Sequence, residues 1–280
     1  MGALANSLNN MLLKRIFTAG LLIVSLFACL FWLSDTLWAL VMLLPLAIGA
    51  QEWGKLAGIP LWARIGYAML MVILAGIMYF LDQAAWLYVV ALIFWLIIVP
   101  MWLATGWQLK SAWLRVPLGV LVLLPVWMAL VELREQGPWW VLLLMGVVWI
   151  ADTAAYFTGR QFGKHKMAPV ISPGKTWEGV VGAVIAVIIY GFIVLMALRG
   201  PRFDPHEWAM PALMLGMLML YLSILGDLFE SWVKRVANVK DSGDILPGHG
   251  GVLDRIDALT STLPIAALIL LHADLLQRIL

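Results

Sequence analysis

Residues 231 to 257 hold the groups best suited to phosphate chemistry. Within this stretch lie the cations Lys234, Arg235, Lys240 and Arg255, the carboxylates Asp241, Asp244, Asp254 and Asp257, and His249. Eight charged side chains are thus packed into 27 positions of a chain that is 64% hydrophobic and only 12% charged. Lys and Arg neutralise oxyanions, and carboxylates hold Mg²⁺, so both halves of phosphoryl-type chemistry are present. Gly248, Gly250 and Gly251 permit close approach of backbone to a ligand. His249 has three open roles: metal ligand, general base, or a group that positions the loop.

Almost everything around this stretch is apolar. The mean hydropathy is +0.97, with 16 Trp and 15 Met, which makes the chain an integral membrane protein. Crossing a hydrocarbon core of about 30 Å takes about 20 apolar residues. Nine runs qualify: 16–34, 36–50, 65–81, 85–104, 113–133, 138–157, 177–198, 207–228 and 258–276. The second is short, which leaves a tilted, broken or re-entrant segment open. The expected fold class is an all-α polytopic bundle of about nine transmembrane helices. Residues 1–135 form N-terminal spans, and 136–280 form a C-terminal catalytic region with polar loops at 158–176 and 229–257. No soluble domain, repeat or low-complexity tract interrupts it.

Loop charges orient the bundle. With the N-terminus in the cytoplasm, fourteen of the 18 Lys and Arg fall on the cytoplasmic face. The excess of positive charge inside supports that orientation and places both long polar loops in the cytoplasm. At the start of the chain, Lys14-Arg15 and the apolar run to Cys29 resemble a secretory signal. Bulky Phe27 suits the cleavage site poorly, so an uncleaved first span is expected. Cys29 is the single cysteine, which excludes an intrachain disulfide.

Ionisable groups in lipid are functional candidates, because burial is costly unless they are paired or face water. Asp152, Asp227 and Glu178 sit at span ends, and Asp254 and Asp257 share one face of the ninth span. All five fall at one membrane level. Taken singly, each has a plainer role as a solvated boundary group, an N-cap or a partner of the helix dipole. That account must be repeated for each carboxylate, and it leaves the co-located cations and glycines unexplained. Ser172-Pro173-Gly174-Lys175-Thr176 breaks the chain just before the seventh span. Lys175 and Thr176 then stand at a helix N-terminus, where free N–H groups favour an anion. Pro169 replaces the first glycine that a P-loop requires, so this is not one.

The stretch from Ser231 to Asp257 resembles the signature of the phosphatidate cytidylyltransferases. Ser231, Val233, Lys234, Arg235, Lys240, Asp241, Gly243, Leu246, Pro247, His249, Gly250, Gly251, Val252, Asp254, Arg255, Ile256 and Asp257 fit at the expected spacing. Upstream, the block from Asp152 to Gly163 and the segment from Ser172 to Gly179 are similar to further family blocks, with Gly174 at a position where the family usually carries Lys. The likeness covers about 150–257; residues 1–140 match only as a hydrophobic bundle. It implies transfer of the CMP group of CTP to phosphatidate, giving CDP-diacylglycerol and pyrophosphate. It implies Mg²⁺ on Asp227 and Asp254, with Asp257, Asp152 and Glu178 as further metal candidates; a second metal or a monovalent cation stays open. Lys234, Arg235, Lys240, Arg255 and Lys175 would contact phosphates. Ser172, Thr176, Ser231, Gly248, Gly250 and Gly251 would line the substrates. Expected partners are CTP, phosphatidate, the inner-membrane bilayer and a second copy in a homodimer, with no nucleic acid.

Two rivals remain at this level. A transporter would explain intramembrane carboxylates and broken spans, but these carboxylates lie at one face, not the midplane, and no inverted repeat is visible. A polyprenol kinase or an isoprenoid-lipid cytidylyltransferase would also use CTP; the 231–257 pattern favours the phosphatidate enzyme.

Overall fold

The computed structural model describes residues 18–81, 84–107, 111–198, 205–246, 248 and 250–274. Pro247 and His249 lie outside the described residues, so the roles considered for His249 are left there. The chain is a bundle of helices: α1 (Thr18–Trp32), α2 (Asp35–Ala57), α3 (Leu61–Leu81), α4 (Ala84–Ile93), α5 (Val99–Thr105), α6 (Ala112–Gln136), α7 (Pro138–Phe162), α8 (Trp177–Ala197), α9 (Pro205–Val236) and α10 (Leu253–Leu271). A π-helical turn, Phe94–Ile98, joins α4 to α5 into one span. Pro100 has no N–H to give to the preceding turn, and the wider turn accommodates that break. Among the described residues, seven helices are long and apolar enough to cross a membrane. The described part of the first span is the shorter apolar helix α1. The ninth span opens on three charged residues, Asp254, Arg255 and Asp257, yet from Ala258 to Leu268 every residue is buried.

Two expected boundaries move. The short second run is part of an unbroken 23-residue helix, α2, with Pro45 inside it. Its last two turns carry Glu52 and Lys55, polar residues that hid the helix from a hydropathy reading. The polar stretch expected to begin at residue 229 is helical to Val236. Phe229, Trp232 and Val233 continue the apolar stripe of α9 and are buried, so the helix gains from running on. Asn238, with φ 55°, ends it in a left-handed cap, and Val239 N–H donates to Lys234 O at 3.0 Å.

Alternate helix ends form two polar layers. At one, Arg134 donates to Asp35 Oδ1 at 2.8 Å, to Leu30 O and to Leu33 O, clamping α1 and α2 onto α6. Glu132 accepts from Tyr88 there and meets His272 at 3.1 Å. Between the layers the core is apolar and rich in Trp, with Trp38, Trp95 and Phe94 almost fully buried. At the opposite layer α7 and α8 are joined by a two-stranded antiparallel hairpin, β1 (Lys166–Ala168) and β2 (Ser172–Thr176). Small residues let α8 approach α7: a Cβ at Gly179 would lie 2.8 Å from Ala155 O.

Candidate active site

The second polar layer is built around α9. Asp227, Glu230, Ser231 and Lys234 are spaced i, i+3, i+4, i+7 and share one face. On the other face Phe229 is packed by Trp53, Phe94, Trp95, Trp102 and Trp232 at ring-centroid distances of 5.6 to 6.5 Å. Such pairs add attraction beyond area burial, and here they fix the rotation of α9 that presents the charged face.

Lys234 bridges two carboxylates. Its Nζ lies 2.6 Å from Glu230 Oε2 and 2.7 Å from Asp254 Oδ1. Asp254 Oδ2 accepts three more bonds: from Ser242 N at 2.9 Å, Ser242 Oγ at 2.9 Å and Gly251 N at 2.8 Å. Asp254 therefore ties the α9–α10 loop to α9.

A second carboxylate holds the loop from the far end of the sequence. Glu52 of α2 is 4% exposed. It accepts from Val252 N at 3.0 Å, Leu253 N at 2.9 Å and Ser242 Oγ at 3.1 Å. The first amides of α10, which have no partner within their own helix, are thus capped by a side chain from another span. Charge at this N-terminus is also favoured by the helix dipole. Fit around Glu52 is tight. A Cβ at Gly251 would lie 2.6 Å from both Glu52 carboxylate oxygens, and one at Gly243 would strike Oε1. We expect Gly251→Ala to lower stability by about 1–3 kcal/mol through overpacking. Thermal unfolding in detergent measures this, and an unchanged midpoint would refute the tight fit.

Three further acids gather between α7, α9 and α10. Asp227 Oδ2 is 2.6 Å from Lys175 Nζ, and Ser231 donates to its Oδ1 at 3.2 Å. Asp152 lies near Ser223 and feels both Lys175 and Asp227. Asp257 feels Asp227 and Asp152 in turn. Gly226 allows this closeness, since a Cβ there would lie 2.7 Å from Asp257 O. Three carboxylates face a single lysine, an excess of negative charge that suits a cation. Among the described residues no three acid or imidazole groups already close into a metal cage. Mg²⁺ needs only one or two carboxylates and completes its shell with water and substrate phosphate. Asp152, Asp227 and Asp257 fit such an ion; Asp254, with four donors on its two oxygens, is less free to.

Other expected site residues have local tasks. Thr176 caps α8, accepting from Gly179 N at 3.2 Å, and is buried. Glu178 accepts from the His165 amide and meets its Nδ1 at 2.6 Å, so it braces the hairpin and no described contact links it to the three acids. Arg235 donates to Ile171 O at 3.4 Å, joining α9 to the hairpin. Ser172 pairs with Ala168 across the strands, placing Lys175 over Asp227. Gly248 and Gly250 have φ of 78° and 83°, conformations that favour glycine. The sequence reading missed Glu52, Glu230 and Ser242. A carboxylate inside a hydrophobic span is itself a signal, and Glu52 and Glu230 both carry it.

Two cavities open on this layer. A polar one of about 560 Å³ is lined by Lys240, Asp241, Asp244, Leu246, Gly248, Gly250 and Arg255. An apolar one of about 710 Å³ runs into the bundle between α1, α2, α6, α7 and α10. Arg255 and Leu246 line both, and Asp152 lines the second.

The chain is similar to known proteins along most of its length. The chain is 38% identical to a phosphatidate cytidylyltransferase of Pseudomonas aeruginosa over 272 residues, covering 93% of this chain and 97% of the relative. A Brucella suis protein of the same name is 37% identical over 226 residues, covering 78% and 80%. One from Haemophilus influenzae is 44% identical over 129 residues, covering 46% of this chain and 44% of its own. Residues 13–273 match the family described as the cytidylyltransferase family. Matched by the family model over residues 13–273 and by these relatives over most of its length, this multi-span membrane protein belongs to the cytidylyltransferase family.

Proposed function

We propose that the chain transfers the CMP group of CTP to phosphatidate, releasing pyrophosphate and forming CDP-diacylglycerol at the cytoplasmic face of the inner membrane. The carrying observation is that a polar and an apolar cavity share Arg255. A water-soluble nucleotide and a membrane lipid need such a junction.

In the reaction an oxygen of the phosphatidate phosphate attacks the α-phosphorus of CTP. The bond from that phosphorus to the bridging oxygen breaks, and the electron pair leaves with pyrophosphate. The attacking monoester is already anionic near neutral pH, so no strong base is required. What the site must supply is positioning and charge neutralisation. Lys240 and Arg255 line the polar cavity and bind phosphate oxygens. Arg255, at the junction, holds the lipid phosphate in line. Lys175, held by Asp227, brings a further cation. Lys234 lies between Glu230 and Asp254 and keeps the loop in place. Asp227, Asp257 and Asp152 would hold Mg²⁺, which would supply electrostatic stabilisation of the phosphate charge.

The test uses purified protein, phosphatidate in mixed micelles and CTP labelled at the α-phosphorus. Organic-phase label that needs phosphatidate, disappears with EDTA and returns with Mg²⁺ is expected. Lipid label from γ-labelled CTP would instead mean a kinase. No labelled lipid from either, in folded protein, would overturn the reading.

A further inference from the structure

We infer that the β1–β2 hairpin is a docking surface for anionic phospholipid headgroups of the leaflet beside it, and that docking steadies Lys175 over the site. The docking stands on the hairpin's own geometry; its effect on turnover rests on the proposed function. The hairpin joins α7 to α8, and α8 is the least buried of the helices long enough to span. Val181, Ile185, Ile188, Ile189 and Phe192 form an exposed stripe along α8, so this side of the bundle faces acyl chains. Phe162 at the last turn of α7 and Trp177 at the first turn of α8 are 59% and 56% exposed. Aromatic rings at span ends sit at the headgroup level, so the hairpin leaves and re-enters the bundle there.

Its charge suits that place. Arg160, Lys164 and Lys166 are all exposed. The nearby carboxylates are engaged elsewhere, Glu178 by His165 and Asp227 by Lys175. Among the described residues none pairs with the ammonium groups of Lys164 and Lys166. Lys164 follows the end of α7 by two residues, at most about 7 Å of extended chain. An anionic leaflet attracts cations over a Debye length of about 8 Å at physiological salt. Pro169 and Val170 lie in the turn between the strands, and Val170 is 89% exposed. Cations beside an apolar tip complement a surface of phosphates over hydrocarbon. The aromatic ends of α7 and α8 and the lipid-facing stripe favour a bilayer over an acidic protein as the occupant.

The hairpin also reaches the site. β2 carries Lys175, whose Nζ lies 2.6 Å from Asp227 Oδ2. Beyond that ion pair, its hydrogen bond to α9 is a long one, from Arg235 Nε to Ile171 O at 3.4 Å. Headgroups holding the outer side of the hairpin would keep β2, and with it Lys175, in place.

The test uses phosphatidylcholine vesicles in which phosphatidylglycerol does or does not replace part of the host lipid. In a Cys29→Ala background, bimane on Val170→Cys is expected to shift its emission to the blue when phosphatidylglycerol is present, and to lose the shift in high salt. Lys164→Gln and Lys166→Gln are each expected to cut the docked population about fivefold, the weight of one cation beside an anionic leaflet. Equal emission in both vesicles, or a full shift in the double variant, overturns the docking. With phosphatidate added at a fixed fraction, kcat is read at saturating CTP, because an anionic surface repels CTP and raises its KM unaided. Phosphatidylglycerol is expected to raise kcat several-fold in the wild type and not in the double variant, with equal values in its absence. A shift without any change in kcat overturns the coupling to Lys175. A CTP KM raised equally in both vesicles by the double variant, with no emission change, would give the hairpin to the nucleotide and overturn the proposal. Should the wild type make no labelled lipid, the proposed reaction falls, whereas the salt-sensitive emission shift would still mark the hairpin as a lipid-docking surface.

Discussion

Alanine at Asp227 is expected to cut CMP transfer by about 10³-fold, the upper range for losing one preorganised electrostatic contact in a reaction centre. The protein should remain folded. Asp227 is about one-third exposed, with a side-chain exposure of 32%, and its described partners are one lysine and one hydroxyl. A partly exposed ion pair of this kind contributes at most about 1 kcal/mol to stability. Catalysis loses more. Without its carboxylate, Lys175 is no longer held over the site, and the acid cluster that would hold Mg²⁺ drops from three members to two. Asp227→Asn keeps the volume and an acceptor for Ser231 but lacks the charge, so it should be nearly as inactive. Measured turnover within about tenfold of wild type in either variant would remove Asp227 from the metal and phosphate assignment. Asp254→Ala is expected to differ: the amides of Ser242 and Gly251 lose their acceptor and Lys234 loses one of its two carboxylates, so the melting temperature falls together with activity.

Glu52→Ala is expected to be the most damaging substitution outside the 231–257 stretch. It strands the amides of Val252 and Leu253 in a buried place, while the Ser242 hydroxyl keeps Asp254 Oδ2 as its acceptor. Each stranded donor costs about 1–3 kcal/mol, so a loss of several kcal/mol is expected. Glu52→Gln fills the same space, yet it turns an NH₂ toward groups that are themselves donors, and it should recover only part of the loss. The measurements are the detergent melting temperature and kcat/KM for CTP. Wild-type values for both in Glu52→Ala would show that the loop holds its shape without the α2 carboxylate.

Much of this was legible because membrane proteins write their layers plainly. Hydropathy places the spans, and the charges that interrupt them mark the two polar layers. The resemblance of the 231–257 stretch points to the family that the relatives bear out. What the pattern hides is pairing across the bundle. Lys234 reads as a phosphate-binding cation, yet in three dimensions it sits between Glu230 and Asp254, one turn back on its own helix and across the loop. Glu52 lies in a run that looked too short to span, because its own polarity and that of Lys55 depressed the local hydropathy. Gly251 reads as room for a ligand, and the space beside it is filled by Glu52 and Ser242. In each case the deciding partner is far away in sequence or masked by its own charge.

The Glu52 cap also has a temporal side. Its acceptor oxygens and the amides of Val252 and Leu253 are 200 and 201 positions apart in the chain. At synthesis rates of about 5–20 residues per second, the ribosome reaches those amides about 10–40 s after Glu52. Throughout that interval the carboxylate waits at the membrane boundary for a helix not yet made. The loop that carries the reaction centre therefore cannot be locked by Glu52 until α10 has been made, so a chain that stalls before α10 leaves this carboxylate without its amide partners.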